Sequence, residues 1–141
     1  MKYLLSIFFL LFSISSLGEE NIIEKRIYLF KKADSSMVKI KKLIQLKNYG
    51  EIVLEANIIN KWSENIPSLF PIGTQASMTN NSDASENIWT SFNDFTSKAN
   101  KTEFYSKLMV KSANEKNLDA LLKAFRETSK SCNSCHVIFR N

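Results

Sequence analysis

The run Cys132-Asn133-Ser134-Cys135-His136 gathers both cysteines and the one histidine of a 141-residue chain into its last ten residues. Two thiols three residues apart, followed directly by an imidazole, is the spacing at which a c-type haem is attached covalently. On a helix the three side chains share a face, so thioethers at Cys132 and Cys135 would hold a porphyrin against that helix while His136 reaches the iron as axial ligand. One haem c, with His136 as its metal ligand, is the expected cofactor.

Other uses of a Cys-x-x-Cys pair fit this chain less well. A structural zinc site needs four protein ligands, and two thiols and one imidazole would have to be completed by carboxylates or by a second chain. A thioredoxin-like redox pair belongs beside a βαβ pattern, whereas this pair follows a long helical stretch with no strand before it. A structural disulfide across so short a ring would constrain the unfolded chain little.

Helices must position this segment, and the apolar spacing supplies four of them. Ile23, Ile27, Phe30, Met37, Ile40 and Ile44 form one stripe of a helix from about Asn21 to Gln45, broken at Asn48-Tyr49-Gly50. A second stripe, Ile52 or Val53, Ala56, Ile59 and Trp62, stops near Pro67. Pro67 to Ser85 holds both prolines, Gly73 and a polar run, and reads as one long loop. A third helix is predicted from Ala84 or Ser85, with Ser85 as cap, through Ile88, Phe92, Phe95, Ala99, Tyr105, Met109 and Ala113 to Asn114–Asn117. Leu118, Leu121, Leu122, Phe125, Cys132, Cys135, His136 and Phe139 share the face of a fourth. Two short turns and one longer loop make this an all-α, antiparallel, up-down-up-down four-helix bundle with the haem in its core.

The other end of the chain indicates where it works. Met1 to Gly18 reads as a secretory signal, with Lys2 as basic start, an apolar run from Leu4 to Phe12, and small residues before a cleavage expected near Gly18. Residues 19–141 then form one domain of about 120 residues, exported to the periplasm and, once cleaved, without stable membrane insertion. Loss of Lys2 lowers the net charge from +5 to about +4, and two haem propionates would leave roughly +2, too little to suggest nucleic acid. Lys39, Lys41 and Lys42 alternate with Ile40, Leu43 and Ile44 and read as a solvated helix face.

Nearly the whole of residues 19–141 resembles cytochrome c′ and its methionine-ligated low-spin relatives. The likeness is carried by Arg26 and Phe30 four residues apart in the first helix, by Leu69-Phe70-Pro71-Ile72-Gly73-Thr74 in the loop, by Ile88-Trp89 opening the third helix, and by Cys132 through Arg140 at the end. The resemblance implies that Arg26, Phe30, Trp89 and Arg140 join the two cysteines and His136 around the haem. It makes Arg26 a propionate contact, although a surface ion pair with Glu24 would leave the same trace. It places Arg140, one turn after His136, in the proximal pocket, although a basic residue near a helix C-terminus also suits the macrodipole.

Position 30 departs from the low-spin relatives, in which a methionine sulfur binds the iron as sixth ligand. Phenylalanine offers no lone pair, and neither does Ala33 one turn on. Met37, Met78 and Met109 fall at positions that the resemblance does not connect with ligation. A five-coordinate, high-spin iron follows, its open face covered by an apolar ring that any incoming ligand must displace. Such a pocket, lacking a hydrogen-bond donor, favours nitric oxide or carbon monoxide over dioxygen. The protein is expected to bind those gases rather than act as an enzyme, because its only histidine is taken as ligand and no distal acid–base group remains. Electron exchange with a redox partner protein is a further expected use. The alternative is a six-coordinate low-spin electron-transfer cytochrome of the same bundle. The resemblance also admits a homodimer through the first two helices, for which Tyr49, Leu54 and Ile58 are available apolar residues.

Overall fold

A computed structural model describes the backbone of residues 14–141 and the side chains from Asn21 onward, so the leader expected at Met1–Gly18 lies outside the fully described residues. Five helices follow in order: α1 (Ile14–Gln45), α2 (Tyr49–Ser63), α3 (Asn87–Thr90), α4 (Phe92–Asn114) and α5 (Leu118–Phe139), with a 3₁₀ turn at Pro67–Leu69. The four long ones form the antiparallel four-helix bundle. Among the described residues the only β pairing is an isolated bridge between Ala84 and Arg140, and no helix is long and apolar enough to cross a membrane.

The two short turns share one chemistry. After α1, Lys47 takes φ 52° while its N–H bonds to Ile44 and the Asn48 N–H reaches back to Leu43; after α4, Lys116 takes φ 52° with the matching bonds to Ala113 and Ser112. Both are Schellman closures with lysine where glycine is usual. Each is followed by an asparagine that caps the next helix: Asn48 Oδ1 accepts from the Glu51 N–H and Asn117 Oδ1 from the Ala120 N–H. The first break therefore falls at Leu46–Asn48, and Gly50 lies inside the first turn of α2 rather than in the turn.

The predicted third helix is divided. Ser91, at φ −131° and ψ 43°, separates α3 from α4, and serine competes for the backbone hydrogen bonds a helix needs. The N-cap of α3 is Glu86, without a side-chain cap bond, and Ser85 lies one residue before it, its Oγ accepting from the Asn87 N–H. On α4 the buried face runs through Phe95, Ala99, Thr102, Ser106, Met109 and Ala113, and Tyr105 stays half-exposed. On α5 the buried positions are Leu121, Ala124, Thr128, Ser131 and Phe139, whereas Leu118, Leu122, Phe125 and Cys132 lie on a neighbouring, half-buried stripe. Several hydroxyls that enter the core bond within their own helices, as Thr128 to Ala124 at 2.9 Å and Ser131 to Thr128 at 2.7 Å, which meets their polar atoms there.

Apolar packing is divided along the bundle axis. An aliphatic cluster of Ile40, Ile52, Ile59, Met109 and Leu121 fills the end near the short turns. An aromatic cluster around Phe70, Phe95, Ile88 and Phe139 fills the other, and Trp62 packs against both. Helix α1 packs on α2, α2 on α4 and α4 on α5, but α1 and α5 do not close on each other. The gap between them, at the aromatic end, is where the chemistry-bearing residues meet. Of the surface residues considered for pairing of two chains, Leu54 is well exposed while Tyr49 packs against the aliphatic core.

Candidate haem site

Two adjoining cavities open between α1 and α5. The inner one, about 170 Å³, is lined mainly by apolar and aromatic side chains together with Cys132, Cys135 and His136. The outer one, about 430 Å³, carries Arg26, Lys31, Asp83 and Arg140. Phe30, Asp34, Phe70 and His136 belong to both walls. An apolar slot leading to a cationic mouth suits a flat amphiphile with an oily ring and anionic substituents, so the residues present fit a haem with its propionates outward.

Helix α5 carries Cys132, Cys135 and His136. Cys132 and Cys135 are free, half-buried thiols, and no disulfide joins them. Burial, with a smaller contribution from Cys132, pushes the Cys135 thiol up to about 11, and burial also raises Cys132. Both are therefore neutral thiols at neutral pH, unlike the acidic thiolate of a redox-active pair. The His136 imidazole is shifted below its ordinary value by burial and by Arg140, with Asp34 opposing, and so keeps an unprotonated nitrogen for a metal.

Across the slot, Phe30 on α1 faces His136 with 6.5 Å between ring centroids. It is braced edge-to-face by Trp62 at 4.8 Å and by Phe70 at 5.9 Å. The methionines lie elsewhere. Met37 lines the inner cavity, but seven residues along α1 from Phe30 is roughly 10 Å of rise, toward the edge of the slot. Met109 is sealed in the aliphatic cluster, and Met78 is fully exposed.

Arg26 is almost wholly buried, which overturns the surface ion pair with Glu24 as its explanation. Its Nη1 donates to the Leu69 carbonyl at 3.2 Å and Thr74 Oγ1 at 3.0 Å, and its Nη2 to the Thr74 carbonyl at 2.8 Å and Ser82 Oγ at 2.7 Å. The guanidinium also lies 4.4 Å over the Phe70 ring. One cation thus ties down the Pro67–Ser85 loop from inside. Thr74 returns its own hydroxyl hydrogen to Pro71, in a turn that Gly73 completes at φ 95°. Among the described residues no carboxylate lies within ion-pair reach of Arg26, so its charge is balanced only by neutral dipoles, and burial lowers its pKa.

Arg140 leaves the helix: it is the extended cap of α5, and its Nη2 pairs with Asp83 Oδ2 at 3.0 Å on the rim of the outer cavity. Backbone bonds from Ser85 to Phe139 and from Asn141 to Asp83 fix that rim. Trp89 is not brought to the cavities. Its indole donates to the Phe70 carbonyl at 3.1 Å, supporting the loop residue that does line them.

The model of the cytochrome c′ family matches residues 21–140. The chain belongs to the cytochrome c′ family. Membership implies a covalently bound haem c, and this family is among the standard examples of the up-down-up-down bundle. Solved structures agree on the fold. Cytochrome c′ from Thermochromatium tepidum superposes with a TM-score of 0.79 at 20% identity, covering 86% of this chain and 95% of that one. A cytochrome c′ described as having an unusual ligand-controlled dimer dissociation gives 0.80 at 21%, over 86% and 95%. The nitric oxide complex of a leucine-to-alanine mutant of the Alcaligenes xylosoxidans protein gives 0.76 at 20%, over 87% and 95%. No curated protein sequence matches the chain.

Three cavity residues were not among those the sequence assigned to the site. Asp34 follows Phe30 by one turn on an exposed face and reads as ordinary surface charge, yet it borders both cavities. Phe70 sits in a loop, where periodicity is silent. Trp62 reads as plain core, yet the residue lines the inner cavity, and its Nε1 is buried without a partner.

Proposed function

We propose that this chain is a periplasmic, high-spin monohaem cytochrome c′ in which His136 is the sole protein ligand to iron, and that it binds nitric oxide or carbon monoxide on the Phe30 side. One observation carries this: the residue facing His136 across the slot is a phenyl ring, while Met109 is sealed in the core, Met78 is exposed, and Met37, on the same cavity wall, lies seven residues along α1 from that ring. Thioethers from Cys132 and Cys135 would fix the haem to α5, and Lys31 and Arg140 would receive its carboxylates at the mouth, with the charge of Arg26, whose Nη atoms the loop holds, behind them. When bound, the haem supplies a Lewis-acidic iron with one open position.

The chain's own residues then set what enters. Phe30 excludes water and large ligands, and a diatomic gas must displace it from Trp62 and Phe70. The Phe30, Trp62 and Phe70 rings offer no acid–base group, and the one carboxylate on the inner wall, Asp34, also borders the outer cavity; binding rather than turnover is the role proposed. Electron exchange with a redox protein is a second proposed role, for which the outer cavity would give a bound haem access to solvent. Nitric oxide is bound in the structure of the Alcaligenes xylosoxidans mutant, which has this fold.

The optical spectrum of the purified, reduced holoprotein is the test. A broad high-spin spectrum that converts on adding carbon monoxide is expected; sharp low-spin bands and no carbon monoxide adduct would overturn the assignment. Osmotic-shock release of the red protein, with its N-terminus just after Gly18, is the expected mark of export.

A further inference from the structure

We infer that Trp62 is a latent hydrogen-bond donor to the iron-bound gas, masked by Phe30 until the gas moves that ring aside; this rests on the gas-binding role proposed above. Trp62 lines the inner cavity, and its Nε1 is fully buried with no hydrogen-bond partner. Leaving a buried N–H unmet is costly, so one on a side chain that lines a cavity calls for a partner that the polypeptide does not supply. The chain's other indole shows the ordinary arrangement, since Trp89 donates to the Phe70 carbonyl. Thr102, a hydroxyl on the same wall, is already engaged with Ser131 at 3.0 Å. Thr96 Oγ1, the other buried side-chain atom without a partner among the described residues, lines neither cavity.

Two acceptors could reach such a wall: a haem carboxylate or the outer atom of a bound diatomic. The cations that suit carboxylates line the outer cavity, and Trp62 is absent from its wall. Trp62 instead packs edge-to-face on Phe30, the ring opposite His136. A gas bound opposite His136 takes its space from Phe30, so one displacement both admits the ligand and uncovers the indole. An N–H directed at the ligand oxygen draws electron density onto it, weakening the bond within the gas and strengthening its bond to iron. The pocket is thus apolar when closed and offers one donor when a ligand is in place.

Infrared spectroscopy of the carbon monoxide adduct of the reduced holoprotein tests this, comparing the parent with Trp62→Phe, which keeps an aromatic ring and removes the N–H. The variant is expected to show its C–O stretch at higher frequency and to release carbon monoxide roughly fivefold faster, equivalent to about 1 kcal/mol at 1.4 kcal/mol per tenfold. An identical band and release rate in the two proteins would overturn the inference. Should Trp62→Phe not fold, the parent alone decides: its C–O band shifts after full exchange of the indole into D₂O if the donor is real and stays put if not. Absence of any C–O band in the reduced parent is a different failure, which removes the gas-binding role itself and this inference with it.

Discussion

Replacing Phe30 with alanine should raise the affinity of the reduced protein for carbon monoxide by a factor set by the contacts that hold the ring in place. Those contacts are two edge-to-face aromatic pairs, with Trp62 at 4.8 Å and Phe70 at 5.9 Å. Pairs of this kind contribute about 0.5–1.5 kcal/mol each beyond the area they bury, so moving Phe30 off both costs about 1–3 kcal/mol. An alanine has no ring to move, and at 1.4 kcal/mol per tenfold the affinity should rise roughly five- to hundredfold. Most of the gain should appear in the association rate, because the ring is displaced before the iron bond forms. Phe30 is half-buried, so the substitution should lower stability by about 2 kcal/mol, half the value for a fully buried phenylalanine, and leave the bundle folded. Flash photolysis and equilibrium titration with carbon monoxide measure both quantities. Affinity and association rate within twofold of the parent would show that Phe30 does not stand over the iron.

Phe30→Met places a thioether opposite His136 and should convert the protein to a six-coordinate low-spin form with weakened gas binding, visible in its optical spectrum. Thr74→Val removes an acceptor of the buried Arg26 cation and should lower unfolding stability by about 1.5–3 kcal/mol in urea titrations, the range for hydrogen bonds to charged groups. Lys47→Gly and Lys116→Gly should each raise stability by about 0.5–1 kcal/mol in thermal unfolding, because each lysine now occupies a left-handed position that suits glycine. Glu55 feels burial raising its pKa, but bonds from Ser36 and Lys39 and the charges of Lys39 and Lys32 outweigh it and hold the carboxyl below its ordinary 4.5. Its contribution is therefore full above the unfolded value and is lost as pH falls through the folded one; Glu55→Gln should be less stable than the parent at pH 7, with the gap closing below about pH 4.5.

The amino-acid sequence by itself determined that Cys132, Cys135 and His136 sit together on one helix, because their relative placement depends on nothing beyond local turns. It determined the number and order of the long helices for the same reason, since each stripe of apolar residues repeats within a few turns, and the Lys-Asn turns are short enough to be local. Local pattern was insufficient where small polar residues are buried. Thr102, Ser106, Thr128 and Ser131 occupy the core with hydroxyls bonded inside the bundle, and hydropathy passes over them in favour of Tyr105 or Leu122.

Only the tertiary structure decided what each aromatic and charged residue faces. Arg26 and Thr74 lie 48 residues apart, and no spacing rule reveals that the arginine turns inward to hold the loop. Trp62 and Trp89 look alike along the chain, yet the Trp89 indole is satisfied by the Phe70 carbonyl and the Trp62 indole is buried without a partner. The slot itself arises because α1 and α5, the first and last helices, stay apart while every other neighbouring pair closes. That separation is a property of how four amphipathic faces pack together, so it has no counterpart in any one helix's sequence.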